Sequence, residues 1–180
     1  VLTPDKTTLE RGESVTISAA VSGGKPPYSY AWQGATGQGA RATAKPAKIG
    51  QHTVRLSVSD SKGKSGSASV TLEVQASQGD RNKSEAGKRG EQARKQLQQG
   101  DLPGAINTAR QANQLDPAAA RAASSEVAAA AKKAGWSKVH ERDFAKAIAN
   151  LEAAHEPDPA DQDAANKLEQ AKRFAQVWPQ

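Results

Sequence analysis

"GGKPPYSYAW", residues 23–32, holds three of the seven aromatic residues in a chain of 180: Tyr28, Tyr30 and Trp32. They fall on every second position, with Ser29 and Ala31 between them. A period of two puts the three rings on one face of a strand and the small residues on the other. That face is either an exposed platform for stacking a sugar or the inner face of a small sheet. Paired glycines and prolines precede it, so the strand opens from a turn.

The neighbouring stretches decide between the two. "ESVTISAAV" (13–21) alternates Val15, Ile17, Ala19 and Val21 against Ser14, Thr16, Ser18 and Ala20. "HTVRLSVSD" (52–60) sets Val54, Leu56 and Val58 against Thr53, Arg55, Ser57 and Ser59. "SASVTLEV" (67–74) sets Val70, Leu72 and Val74 against Ser69, Thr71 and Glu73. Turn-forming runs separate them, among them "SGGKPP", "GATGQG" and "DSKGKSG". Short half-buried strands at this spacing predict a β-sandwich. A domain so small buries only about 60% of its unfolded surface, so it needs large rings between its sheets. Trp32 and Tyr30 are therefore expected in the core. Tyr28, at the strand entry beside Pro26 and Pro27, stays open as a candidate glycan contact.

This run has the features of a known module. "GESVTISAAVSGGKPPYSYAW" followed by "KIGQHTVRLSVSDSKGKSGSASVTLEV" resembles an immunoglobulin-like domain of the polycystic kidney disease (PKD) type over about residues 3–75. It is also similar to the sandwich repeats of surface adhesins in gliding bacteria. The resemblance rests on Gly12, the Tyr30-x-Trp32 pair, Gly50 and the Asp60–Gly63 turn. PKD domains commonly follow the tryptophan with an acidic, glycine-containing turn. Here the run is "QGATGQG", which offers no carboxylate to calcium. The resemblance implies an extracytoplasmic spacer or adhesion module without catalysis.

The period changes in the second half. From about Ser84, alanine, glutamine, lysine and glutamate dominate, all good helix formers. Two segments repeat: "QGDLPGAINTARQANQLDPAA" (99–119) and "ERDFAKAIANLEAAHEPDPAD" (141–161). Alignment pairs Asp101 with Asp143, Leu102 with Phe144, Ala105 with Ala147, Ile106 with Ile148, Ala109 with Leu151, and Ala112 with Ala154. Asp116 and Asp158 suit helix N-caps, with Pro117 and Pro159 as first helical residues. A closing helix is expected to align Ala164, Leu168, Ala171, Ala175 and Trp178 on one face, which makes about five helices. The pattern "GDLPGAINTARQANQLDP" is similar to the second half of a tetratricopeptide repeat, with the first unit at about 86–119. The opening helix lacks the usual aromatic and leucine positions, and the copies stand 42 residues apart instead of 34.

The expected organisation is all-β then all-α: a sandwich over 1–76, a polar basic linker over 77–85 and a helical array over 86–180. Charge follows these divisions. Residues 1–76 carry nine basic and five acidic side chains, residues 77–100 six and three, and residues 101–180 ten and eleven. The basic half suggests an anionic cell-surface polymer as a second partner beside a protein or peptide. No stacking aromatics interleave the basic run "DRNKSEAGKRGEQARK", so specific nucleic-acid binding is not expected.

Cysteine is absent, which removes disulfides and thiol chemistry. No run is long and apolar enough to cross a membrane. Methionine is absent and the chain begins at Val1, as a processed or excised piece would. His52, His140 and His155 lack metal-ligand spacing, and "EPDPADQD" lacks the glycine and terminal glutamate of a calcium loop. Neither catalysis, a metal nor a cofactor is expected.

Two functions follow. In the first, the helical array is a scaffold binding a protein or peptide through Arg94, Gln98, Lys132 and Trp136, as the resemblance implies, and the sandwich is its spacer. A carboxylate clamp is not recognisable, since Gly90 stands where a basic residue belongs. In the second, the sandwich is a carbohydrate- or wall-binding module acting through Tyr28. A purely structural segment is a third reading. All three place the protein outside the cytoplasm.

Overall fold

The computed structural model describes residues 1–157 and 160–178. They form two compact units, Val1–Gln78 and Gly79–Gln180. The first contains β1 (Leu2–Pro4), β2 (Thr8–Glu10), β3 (Val15–Ala19), β4 (Ser29–Gln33), β5 (Thr36–Gln38), β6 (Arg41–Ala44), β7 (Gly50–Ser59) and β8 (Ser65–Gln75). These make two four-stranded sheets, in the orders β1-β3-β6-β5 and β2-β8-β7-β4. All pairings are antiparallel except β2 with β8.

Between the sheets lie Leu9, Val15, Ile17, Ala44, Val54 and Leu72, all buried. The alternation in β3, β7 and β8 thus runs as the sequence indicates, with one shortening. Strand β3 stops at Ala19, and Val21 beyond it is exposed.

The second unit contains α1 (Gln78–Gln98), α2 (Leu102–Leu115), α3 (Pro117–His140), α4 (Phe144–His155) and α5 (Gln162–Val177). The stretch expected as a linker over 77–85 is helical from Gln78 onward. Its polar residues propagate a helix well, and Ala86, Gly90 and Ala93 give α1 a buried stripe to pack with. Gly90 costs helix propensity but permits close approach: a Cβ there would stand 3.2 Å from that of Ala123 on α3.

The two sequence repeats fold alike at their starts. Asp101 and Asp143 cap α2 and α4 with nearly the same backbone, φ −83, ψ 73 and φ −85, ψ 73. Each accepts a hydrogen bond from the amide three residues on, Gly104 and Lys146. Before each cap the chain makes the same paired turn, Gly100 N–H to Leu97 O with Asp101 N–H to Gln96 O, then Arg142 N–H to Val139 O with Asp143 N–H to Lys138 O. This closure requires a left-handed residue. Gly100 takes it at φ 81, and Arg142 takes it at φ 61.

Asp116 caps α3 as expected, with Pro117 first in the helix. Asp158 and Pro159 lie outside the described residues. The observed cap of α5 is Asp161, which accepts from Asp163 N and Ala164 N.

Two apolar clusters hold the helices. Ala93, Ala105, Ala109 and Val127 join α1, α2 and α3. Val139, Phe144, Ala147, Leu151, Leu168 and Ala171 join α3, α4 and α5. Trp178 follows α5 and is about half exposed, its ring 5.8 Å from that of Phe174.

Candidate functional site

Of the residues singled out on the helices, three take part in contacts of α3, Arg94 joining α1 to it and Lys132 and Trp136 joining it to α5 and its cap. Arg94, near the end of α1, reaches across to Glu126 on α3, with Nε 3.1 and 3.0 Å from its two carboxylate oxygens. It also holds Glu91 one turn earlier at 2.5 Å. Lys132 lies further along α3, and its ammonium sits 2.8 Å from Asp161 and 3.2 Å from Asp163 of α5. Trp136, one turn beyond, has the Lys167 ammonium of α5 over its ring at 5.7 Å. Lys167 in turn pairs with Asp163 at 2.6 Å. Gln98 is exposed at the end of α1.

Proton affinities record this lacing. Hydrogen bonds to Glu126 and then Glu91 push the Arg94 guanidinium up. Those to Asp161 and Asp163 push Lys132 up. The Lys132 ammonium holds the Asp161 carboxyl below its usual range, and Lys167, followed by Lys132, does the same for Asp163.

The cations picked from sequence as partner contacts are thus already engaged by acids of the neighbouring helix. Any ligand on this face meets a neutralised seam, with the half-buried Trp136 ring as its largest apolar element. Glu126, Asp163 and Lys167 escaped the sequence reading because nothing local marks a charge on one helix as the partner of a charge about thirty residues away.

The aromatic stretch of the sandwich shares one face as its alternation indicates, but Tyr30 and Trp32 fall short of the core burial expected of them. Tyr30 and Trp32 are half-buried on β4, opposite Val58 and Leu56 of β7. Trp32 packs against the core and donates its indole N–H to Gly39 O at 3.1 Å. Tyr28, the candidate glycan contact, is also half-buried, and its hydroxyl donates to Gly23 O at 2.9 Å.

Beside it the Asp60 carboxylate accepts from the backbone amides of Lys25, Lys62 and Lys64 at 3.1, 2.9 and 2.9 Å. These bonds, with that from Lys25 largest, hold Asp60 below its usual range. Ser61 adds two hydrogen bonds to Lys25 O, each 3.0 Å. The "GGK" and "DSKG" turns are in this way tied to each other, and the Tyr28 hydroxyl is part of that knot.

No group of three or more potential metal-ligating side chains occurs among the described residues. No helix there is long and apolar enough to cross a membrane.

Residues 1–79 match the family model of the PKD domain. The match takes in both sheets and ends as α1 begins. PKD domains are non-catalytic modules, typically extracellular, that mediate protein or carbohydrate interactions. No curated protein matches the chain.

Proposed function

We propose that the protein is a non-catalytic interaction scaffold that works outside the cytoplasm of a bacterium. Residues 1–76 act as spacer and adhesion module. Residues 86–180 form a divergent tetratricopeptide-like array that binds a protein or peptide, and 77–85, the first turns of α1, lead into it. The observation that carries this reading is the repeated closure at Gly100–Asp101 and Arg142–Asp143, with buried Ala105 and Ala147, and Ala112 and Ala154, at matching depths behind it. A helical hairpin repeated in sequence and in backbone geometry is the unit from which solenoids stack, and solenoids present extended binding faces.

The partner face is the one bearing Arg94, Gln98, Lys132 and Trp136. Because its cations are paired within the array, recognition there draws on the Trp136 ring and on exchange of ion pairs, not on an empty clamp for a carboxylate. Anionic surface polymer adds a second, nonspecific attraction to the basic sandwich and α1.

Crosslinking of the full-length chain in an envelope extract tests the reading. A saturable protein adduct should form, survive Tyr28→Ala and fall several-fold with Trp136→Ala. Retention that Tyr28→Ala abolishes, and that soluble glycan competes away, overturns it in favour of a carbohydrate-binding sandwich.

A further inference from the structure

Residues of α2, α3 and the end of α4 line a trough in two parts that share Asn113, Ser124, Ala128 and Pro157. One is an apolar crevice of about 70 Å³, floored by Ile106, Ala109, Val127 and Ala153 and rimmed by the Arg110–Glu156 ion pair. The other, about 340 Å³, is polar and takes in Asn113, Arg121, Ser125 and Lys132. Ser124 lines both.

Charges around the trough are matched but for one. Arg110 is engaged by Glu156, and Lys132 by Asp161. Arg121 is exposed and has no ion pair among the described residues. Three residues on, and so on the same side of α3, Ser124 is only 6% exposed. Its hydroxyl has no hydrogen-bond partner among the described residues. A buried hydroxyl without a partner is costly, and a change of staggered χ1 rotamer re-aims a serine hydroxyl without moving the backbone.

We propose that this trough binds a small aliphatic carboxylate. Its alkyl group fills the crevice, and its carboxylate pairs with the Arg121 guanidinium and accepts from the re-aimed Ser124 hydroxyl. A planar monoanion suits a single guanidinium, which it meets with two parallel hydrogen bonds. A dianion would bring a charge with no counterpart beside the apolar floor. The trough shares Lys132 with the proposed partner face, whereas Arg94 and Trp136 line neither part of it.

The test is amide-resolved NMR titration of the full-length chain with N-acetylvaline, against its carboxamide as the uncharged control. Saturable shifts should appear in 106–114 and 121–128 with the acid and not with the amide. Arg121→Gln should weaken binding about tenfold or more, the value of a charge-assisted hydrogen bond. Ser124→Ala should weaken it less and leave the melting temperature unchanged or higher, because the removed hydroxyl had no partner.

Absence of shifts in these segments, equal response to acid and amide, or indifference to Arg121→Gln each overturns the proposal. So does a Ser124→Ala variant that loses stability and keeps its affinity. Where the acid binds, a hexapeptide ending in valine separates two sources of the same chemistry. Tighter binding of the peptide identifies a chain terminus, and weaker binding identifies a free acid.

Discussion

The sandwich closes over Leu9, Ile17, Val54, Leu72 and Val74, whereas the helical unit closes largely over alanine: Ala86, Ala93, Ala105, Ala112, Ala120, Ala131, Ala147, Ala164 and Ala171 are all fully buried. The contrast follows from geometry. Stacked sheets stand about 10 Å apart and need long side chains to fill the gap. Helix axes approach to about 8–10 Å according to what lies between them, so alanine and glycine bring them together.

A core of small residues buries little apolar area for each residue, at roughly 25 cal/mol per Å². The helical unit therefore leans on helix propensity, on its aspartate caps, on ion pairs between helices and on a few large anchors. Leu151 is the principal one, fully buried at the meeting of α3, α4 and α5.

The largest expected effect tests whether those anchors matter as much as the sandwich's many. Leu151→Ala and Ile17→Ala should each cost about 3 kcal/mol, within the range for fully buried aliphatics. Hydrogen exchange resolved by segment in the full-length chain reads both. Each substitution should speed exchange in its own unit and spare the other. Loss of protection in both units from either change would break the comparison.

Close approach of helices is sharpened by Gly135→Ala. On propensity alone the substitution should gain up to about 1 kcal/mol. Its Cβ, however, would stand 2.8 Å from Leu151 Cγ and 3.1 Å from Ala147 O. Overpacking of this kind costs about 1–3 kcal/mol, so a net loss is expected in chemical denaturation. Gly87→Ala, with nothing within 4 Å of the added Cβ, should instead gain about 0.5–1 kcal/mol. Equal gains at both positions would show that the helices do not need the contact at Gly135.

Acid should weaken both units, the sandwich through Asp60 and the helical unit through carboxyls that face cations of a neighbouring helix. The carboxyls of Asp161 and Asp163 are held below their usual range. Their contribution is therefore complete above the unfolded value of about 3.9 and is lost as pH falls through the folded value. Far-ultraviolet circular dichroism should show helical stability declining in that window. Asp161→Asn keeps a cap but removes the charge facing Lys132, and it should shrink the acid-dependent loss. An unchanged pH profile in that variant would remove the Lys132 pairing from the account.

The smallest effect concerns the two repeats. Arg142 occupies in the second the left-handed position that Gly100 occupies in the first. A side chain there costs roughly 1–2 kcal/mol per residue relative to the right-handed form. Arg142→Gly should raise stability by some fraction of about 1 kcal/mol, seen as a small rise in melting temperature. A fall would mean that the arginine side chain contributes more than its backbone costs.

Much of the fold was legible beforehand, and for a definite reason. The alternation of Val54, Leu56 and Val58, and of Val70, Leu72 and Val74, states which face of a strand is apolar without reference to anything distant. The pairing of Asp101 with Asp143 and of Ala105 with Ala147 was equally local, since a cap and its helix lie within four residues. Two boundaries fall elsewhere than the local pattern places them. Helix α1 begins at Gln78, ahead of the expected linker's end, with Gly87 and Gly90 inside it. Strand β3 ends before Val21.

The candidate site was less legible. Arg94, Lys132 and Trp136 could be placed on helices, but their engagement by Glu126, Asp161, Asp163 and Lys167 could not, and neither could the unmatched Arg121 beside a buried Ser124.

Periods, turns, caps and the internal repeat, and hence a β unit followed by helices, are readable along the chain because each is a property of a few consecutive residues. Tertiary structure alone decided which charges are spent and which remain, which helices touch through glycine, and where a trough opens. Those depend on groups brought within about 4 Å by the packing of whole elements, where a change of one methyl group or one ion pair is felt.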